Sequence, residues 1–252
     1  MRYCESRVPA RAPWWRRRTC ALSLWLAAPL ALPALAASPP VQLPPATTLE
    51  YGLTSGVLSG TGWLDWQPSG GRYTLTLRGT ALGLNLLRWT SSGALDAHGL
   101  VPEQFSDRRL TQPDRRAEID RPAGVVRYSG YKPDHAGELP LDGEMQDRLS
   151  WMVQLPALLA ANPALREAGQ RISFSVTGAR RDADRWTFVV KGRQEVALAD
   201  GRAVDSIYLM RANDAPGDTV AEAWLDPARG FLPVRARLTS GDKNDRIDFL
   251  LR

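Results

Sequence analysis

The chain has 252 residues, 44% of them hydrophobic and 23% charged, with a formal net charge of +5. That length suits one sizeable domain with its own core. Its two cysteines, Cys4 and Cys20, lie close to the N-terminus. The body of the chain therefore has no disulfide, thiolate nucleophile or cysteine-ligated metal, and its stability must come from packing.

Residues 1–36 read as a targeting leader. Arg16, Arg17 and Arg18 form a basic region, and residues 20–35 are an Ala/Leu-rich run broken by Pro29 and Pro33. Ala34-Leu35-Ala36 places small residues where a signal peptidase reads them, which predicts cleavage between Ala36 and Ala37. A run of about 16 residues with two prolines is short for a membrane span. Cys20 precedes the apolar run, against a lipoprotein signal, and RRTCAL lacks the rest of a twin-arginine motif. The expected location is the periplasm, with membrane contact only through the leader before cleavage. The leader holds six of the 32 basic residues and one of the 27 acidic ones, so the remaining 216 residues carry 26 of each. The basic balance that would point to nucleic acid or acidic lipid thus disappears with the leader. Arg108, Arg109, Arg115 and Arg116 form a local run that reads as a solvated loop.

From Ser38 to Ala46 the chain is proline-rich, and residues 37–46 read as an extended, mobile spacer. Residues 47–252 read as one domain. Leu49, Tyr51 and Leu53 alternate in strand fashion, 57–67 continues the pattern, and Pro68 to Gly71 marks a turn. RYTLTLRG at 72–79 is a clean alternating strand. Further strands are predicted at 81–90, 94–98, 103–110, 115–120 and 125–130. After the helix described next come 171–179, 185–191, 193–198, 203–211, 220–225, 232–239 and 246–250. Asp200-Gly201 and the GDKND stretch from Gly241 carry hairpin chemistry. Gly52, Gly56, Gly60 and Gly62 lie among β residues, which favours bulges or close backbone approach over a phosphate loop. Short strands with hairpin gaps and no βαβ rhythm predict a mainly β fold. Its architecture is a curled antiparallel sheet, half-barrel or barrel-like, wrapped around one principal helix.

That helix is predicted over Asp142 to Ala161, DGEMQDRLSWMVQLPALLAA. Leu149, Met152, Val153 and Leu159 share one face, Trp151, Leu155 and Leu158 extend it, and only Gln146, Asp147, Ser150 and Gln154 stay polar. So wide an apolar arc predicts packing on most sides. Pro156 should kink or restart the helix, and Asn162-Pro163 reads as a fresh cap and first position with Gly169 as a stop.

Five stretches in order carry a family resemblance: LEYGLTSGVLSGTGWLDW, RYTLTLRGTALGLNLLRWTSSG, GLVPEQFSDRR, QDRLSWMVQL and AWLDPARGFLPVRARL. Together they resemble the family called domain of unknown function 3108, exported bacterial envelope proteins, from about Leu49 to the C-terminus. The resemblance implies a β-rich domain curved around a helix and brings no mechanism.

The chemistry-bearing residues are sparse. His98 and His135 lack the spacing of a zinc site, no Gly-x-Ser-x-Gly elbow is present, and pairs among so many carboxylates identify nothing without geometry. No catalytic residue, metal or cofactor is assigned. The strongest constellation is Asp147, Arg148, Ser150 and Trp151, where a guanidinium enters an apolar arc. An unpaired charge there would cost several kcal/mol, so Arg148 either ties the helix to a carboxylate or grips an anionic headgroup beside a cavity. Of Trp63 and Trp66, an odd number apart, one should be core and the other outward. The expected function is a non-catalytic periplasmic domain that binds a lipid or other hydrophobic small molecule, or an envelope protein. The alternatives are a carboxylate-based hydrolase of envelope glycans and a purely structural envelope protein.

Overall fold

Alternation of apolar and polar residues sets most of the strands. In Arg72–Ala81 the side chains of Tyr73, Leu75 and Leu77 are buried while Arg72, Thr74 and Arg78 face out. A strand puts successive side chains on opposite faces, so this pattern can bury only one face of the sheet. The computed structural model describes residues 40–130, 132–212, 218–239 and 246–252. The leader, its Ala36–Ala37 boundary and the turn from Gly241 lie outside them.

Eight strands come first: β1 (Thr47–Ser55), β2 (Leu58–Ser69), β3 (Arg72–Ala81), β4 (Leu84–Asp96), β5 (Gly99–Arg109), β6 (Gln112–Asp120), β7 (Val125–Ser129) and β8 (Gly137–Pro140). A short strand β9 (Met145–Asp147) leads into the helix α1 (Trp151–Ala161). Then follow β10 (Arg171–Thr177), β11 (Ala183–Ala197), β12 (Ala203–Arg211), β13 (Val220–Asp226), β14 (Leu232–Thr239) and β15 (Arg246–Leu251). All fifteen form one sheet in the order 8-7-6-5-4-3-2-1-15-14-13-12-11-10-9. Every described pairing is antiparallel except β9 with β10.

The ends of that order reveal the shape. β8 and β9 are its opposite edges, yet residues 141–144 alone join them. A linker of that length spans at most about 17 Å, so the sheet must roll until its edges meet. No ladder pairs β8 with β9, and the sheet stays an unclosed roll. The mainly β, helix-centred expectation holds.

The helix fills the roll. Eight of its eleven residues are buried, Trp151 through Ala157 and Leu159, and it packs against both β5 and β14, which lie far apart in the sheet. Its first predicted turns are wrong. Met145–Asp147 is a strand, and α1 starts only at Trp151. All three residues of β9 are buried, so the segment shows no period that could separate strand from helix. Pro156 sits inside α1 without ending it. Asn162 caps a 3₁₀ turn at Pro163–Arg166, accepting from the Ala164 amide at 3.0 Å, so the second helix is only one turn.

Three other expectations shift. The strands predicted at 94–98 and 193–198 are the ends of the long β4 and β11, the latter bulged between Val190 and Gly192. The spacer is tied down where it is described: Val41 donates to the Ala97 carbonyl, and the Trp66 indole donates to that of Pro44 at 2.9 Å. Trp66 is fully buried and Trp63 faces outward, as their spacing predicted. Of the early glycines, Gly60 and Gly62 are close approaches, a Cβ on Gly60 falling 1.9 Å from the Thr80 carbonyl oxygen, whereas Gly56 serves a turn at φ +58° and Gly52 has room for a Cβ. The Asp200-Gly201 hairpin is present, with Gly201 at φ +83°.

Candidate functional site

The seam where the roll meets itself gathers six of the buried polar residues, Ser91, Gln146, Asp147, Ser150, Gln154 and Thr177. Strand β9 tucks inside the opposite end of the sheet and is held there by side chains. The Gln146 amide donates to the Leu100 carbonyl at 2.9 Å, and Gln154 of α1 binds the Leu100 amide and the His98 carbonyl. Tyr128 of β7 pairs its hydroxyl with that of Thr177 at 2.7 Å, and Arg121 reaches the Pro102 and Met145 carbonyls.

Asp147 is the centre of this arrangement. Its Oδ1 accepts from the amides of Leu149 and Ser150, both at 2.8 Å, and its own amide donates to the Ser150 hydroxyl at 2.8 Å. These reciprocal bonds turn the chain from β9 into α1. Its Oδ2 accepts from the Ser91 hydroxyl of β4 at 2.5 Å, and Ser91 in turn meets the Tyr73 hydroxyl at 2.9 Å. The carboxylate has no exposed surface and no cation among its described hydrogen-bond partners. Burial therefore outweighs the hydrogen bonds that the carboxylate accepts and pushes its pKa up to about 6.

Arg148, one residue on, points the other way. Its guanidinium meets Asp182 on the β10–β11 turn at 2.6 Å and stacks over Trp186 at 5.9 Å. About a third of the side chain stays exposed. It borders a cavity of about 310 Å³ that also takes in Leu139 of β8, Val176, Arg181, Trp186 and Arg211. Arg211 stacks on the same indole at 4.7 Å and pairs with Asp184 and Asp218. Trp151 is core: its indole donates to the Arg148 carbonyl at 3.0 Å and its ring stacks on Phe188 at 5.1 Å. The four residues singled out in the sequence thus separate. Asp147 and Ser150 close the seam inside, Trp151 packs, and Arg148 alone reaches the cavity.

A second buried cluster was missed. Arg115 is 1% exposed, not solvated, and shares Asp107 with Arg109 and the Trp89 indole. Its Nε has no hydrogen-bond partner among the described residues. The signal was available, since Arg115 falls in register with inward-facing Ala117 and Ile119. His98 is exposed and His135 sits on a 3₁₀ turn, and no group of three metal-ligating side chains occurs among the described residues.

A single mainly antiparallel sheet rolled around one buried helix, its seam fastened by polar side chains, defines a β-rich domain with an arginine-bordered cavity at the join. The chain belongs to the family described as protein of unknown function (DUF3108), whose model matches residues 47–247. No curated protein matches the sequence.

Proposed function

We propose that this is an exported, non-catalytic domain of the bacterial periplasm that holds an amphipathic ligand with an anionic headgroup at the seam. The leader features of residues 1–36 support export. The observation that carries the ligand reading is the placement of Arg148 at the seam cavity, partly exposed, with Leu139, Val176 and Trp186 supplying apolar wall. Asp182, Asp184 and Asp218 also line it and pair with Arg148 and Arg211, while Arg181 has no ion pair among the described residues. A guanidinium held between a carboxylate and an aromatic face is pre-oriented to exchange its partner for a ligand anion.

The hydrolase alternative has one observation in its favour, the raised pKa of Asp147. A general acid must touch its substrate, and both oxygens of this carboxylate are engaged and out of reach of solvent. The non-catalytic reading is therefore preferred.

Native mass spectrometry of the protein recovered gently from periplasm tests it. The expected result is a reproducible added mass that organic extraction removes and that Arg148→Leu lacks. A bare mass in the wild type would count against the ligand and turn the search to protein partners. Recovery of an unprocessed chain from the cytoplasm would count against export.

A further inference from the structure

The large apolar side chains that stand exposed among the described residues gather at one end of the roll. Val57 is fully exposed, Leu82 is 85% exposed, and Leu58, Leu84 and Leu110 are exposed by 39%, 52% and 51%. They occupy the turns β1–β2, β3–β4 and β5–β6. Neighbouring strands here are antiparallel, so these three hairpins turn at the same end of the sheet. Scattered exposed leucines are unremarkable, but a collection confined to adjacent turns is not.

Leu82 shows that the local backbone does not call for these residues. The β3–β4 loop is the pair Leu82-Gly83, with φ at +51° and +76°. Two positive φ values in a two-residue hairpin favour Asn, Asp or Gly at the first position. A leucine there carries backbone strain and exposes its side chain, and no described residue covers it in return.

Charge lies directly behind the tips. Trp63, Arg78, Arg88 and Arg108 stand opposite one another in register across β2 to β5, on the outer face. Counting along the strands, Val57 lies six residues beyond this row, Leu82 four and Leu110 two. Arg88 and Arg108 continue into an outer groove of about 770 Å³ that Arg116 and Arg127 also line, with Asp114 and Glu118 the carboxylates among its lining residues. Arg78 and Arg108 are balanced by Asp65 and Asp114, and Arg127 by Asp120 and Glu138, whereas Arg88 and Arg116 have no ion pair among the described residues. With Glu118 beside them, these two arginines leave a small local excess of positive charge that the neutrality of the chain beyond the leader conceals.

Aliphatic tips projecting past arginines and an outward tryptophan suit one occupant, a lipid surface carrying anionic headgroups. The tips enter the acyl boundary, and the guanidiniums nearest them, Arg108 and Arg88, meet phosphates. A folded protein partner would call for a continuous complementary patch instead of three separate points. We propose that this hairpin rim docks the protein peripherally on an anionic bilayer. No described helix is long and apolar enough to cross one. The docking rim is separate from the seam cavity and does not depend on a ligand there.

The test is flotation of the protein, in the form that cells accumulate, with vesicles of phosphatidylcholine containing phosphatidylglycerol and with vesicles of phosphatidylcholine alone. The expected result is salt-sensitive association with the anionic vesicles. It should weaken about tenfold or more when Val57→Asp and Leu82→Asp are combined, because two aliphatic contacts become charged. Leu82→Asn suits the positive φ, so its melting temperature should not fall while its association does. Arg88→Glu should weaken binding to the anionic vesicles specifically. No association with either vesicle, or equal binding by the doubly changed tips, would overturn the proposal. So would a dimer, formed without vesicles, that the tip variant splits, since the rim would then be a contact between copies.

Discussion

The roll is joined in two places by different means. At its middle, β1 lies against β15, and residues two hundred positions apart share a regular ladder from Tyr51–Leu251 to Ser55–Ile247. At its edges, β8 and β9 share no ladder, and Gln146, Asp147, Ser91, Tyr128 and Arg121 fasten the seam individually. A ladder uses main-chain groups that every residue but proline carries, so it tolerates side-chain change. A side-chain seam concentrates the same task in a few polar groups, each buried and each costly to lose. The middle join should thus be robust and the seam brittle.

The largest expected effect is Asp147→Ala, which strands the Leu149 and Ser150 amides and the Ser91 hydroxyl. We expect a loss of about 3 kcal/mol or more in denaturant unfolding. A loss below about 1 kcal/mol would mean that the corner is held without its carboxylate.

Next comes pH. Asp147 has a folded-state pKa near 6, above its ordinary value of 3.8, so the native state binds this proton more tightly than the unfolded chain does. Its contribution is therefore most favourable below pH 3.8 and declines as pH rises to about 6, by roughly 2 to 3 kcal/mol from 1.36 kcal/mol per unit. Asp114, Asp120, Asp200 and Asp248 are shifted down by arginine partners or backbone amides and act with the opposite sign. The difference between wild type and Asp147→Asn isolates the buried group. Asn keeps the acceptor at Oδ1, so the variant should be at least as stable at pH 7, and its advantage should vanish towards pH 4. An advantage that is constant across that window would contradict the assignment.

Tyr51→Phe probes the middle join. It removes one buried hydrogen bond, from the Tyr51 hydroxyl to the Pro233 carbonyl at 2.7 Å, and should cost about 1 kcal/mol while the ladder persists. The smallest effect is expected at Arg148→Leu. Its pair with Asp182 is about a third exposed on both sides, so solvent discounts it to under about 1 kcal/mol. A thermal shift of many degrees there would make Arg148 an architectural tie and weaken its role at the cavity.

Most of the sheet was legible because one face is buried and alternation reports that directly, as in β3 and in the Trp63–Trp66 pair. Legibility failed where that contrast vanishes. β9 is buried on every side and β8 is largely exposed, so neither shows a period. Arg115 was misread because its neighbours in sequence, Asp114 and Arg116, face solvent or half face it, while its own register is inward. The quartet around Asp147 was found by its chemistry, but which member meets which partner was not. Ser91 and Asp182 lie 56 and 34 residues from the side chains they bind, and only the roll brings them there.

The strand order has a consequence for how the chain could be rewired. Read from β9 through β15 and on from β1 to β8, the sheet is an uninterrupted succession of neighbours, with the junction falling where Leu251 faces Tyr51. The first and last strands thus sit in mid-sheet, while the linker 141–144 marks the one step that leaps from edge to edge. A circular permutant joined near residues 252 and 47 and opened within 141–144 would turn every long-range pairing of the middle join into a local one. Contacts close in sequence form fastest, so such a permutant should fold faster than the parent.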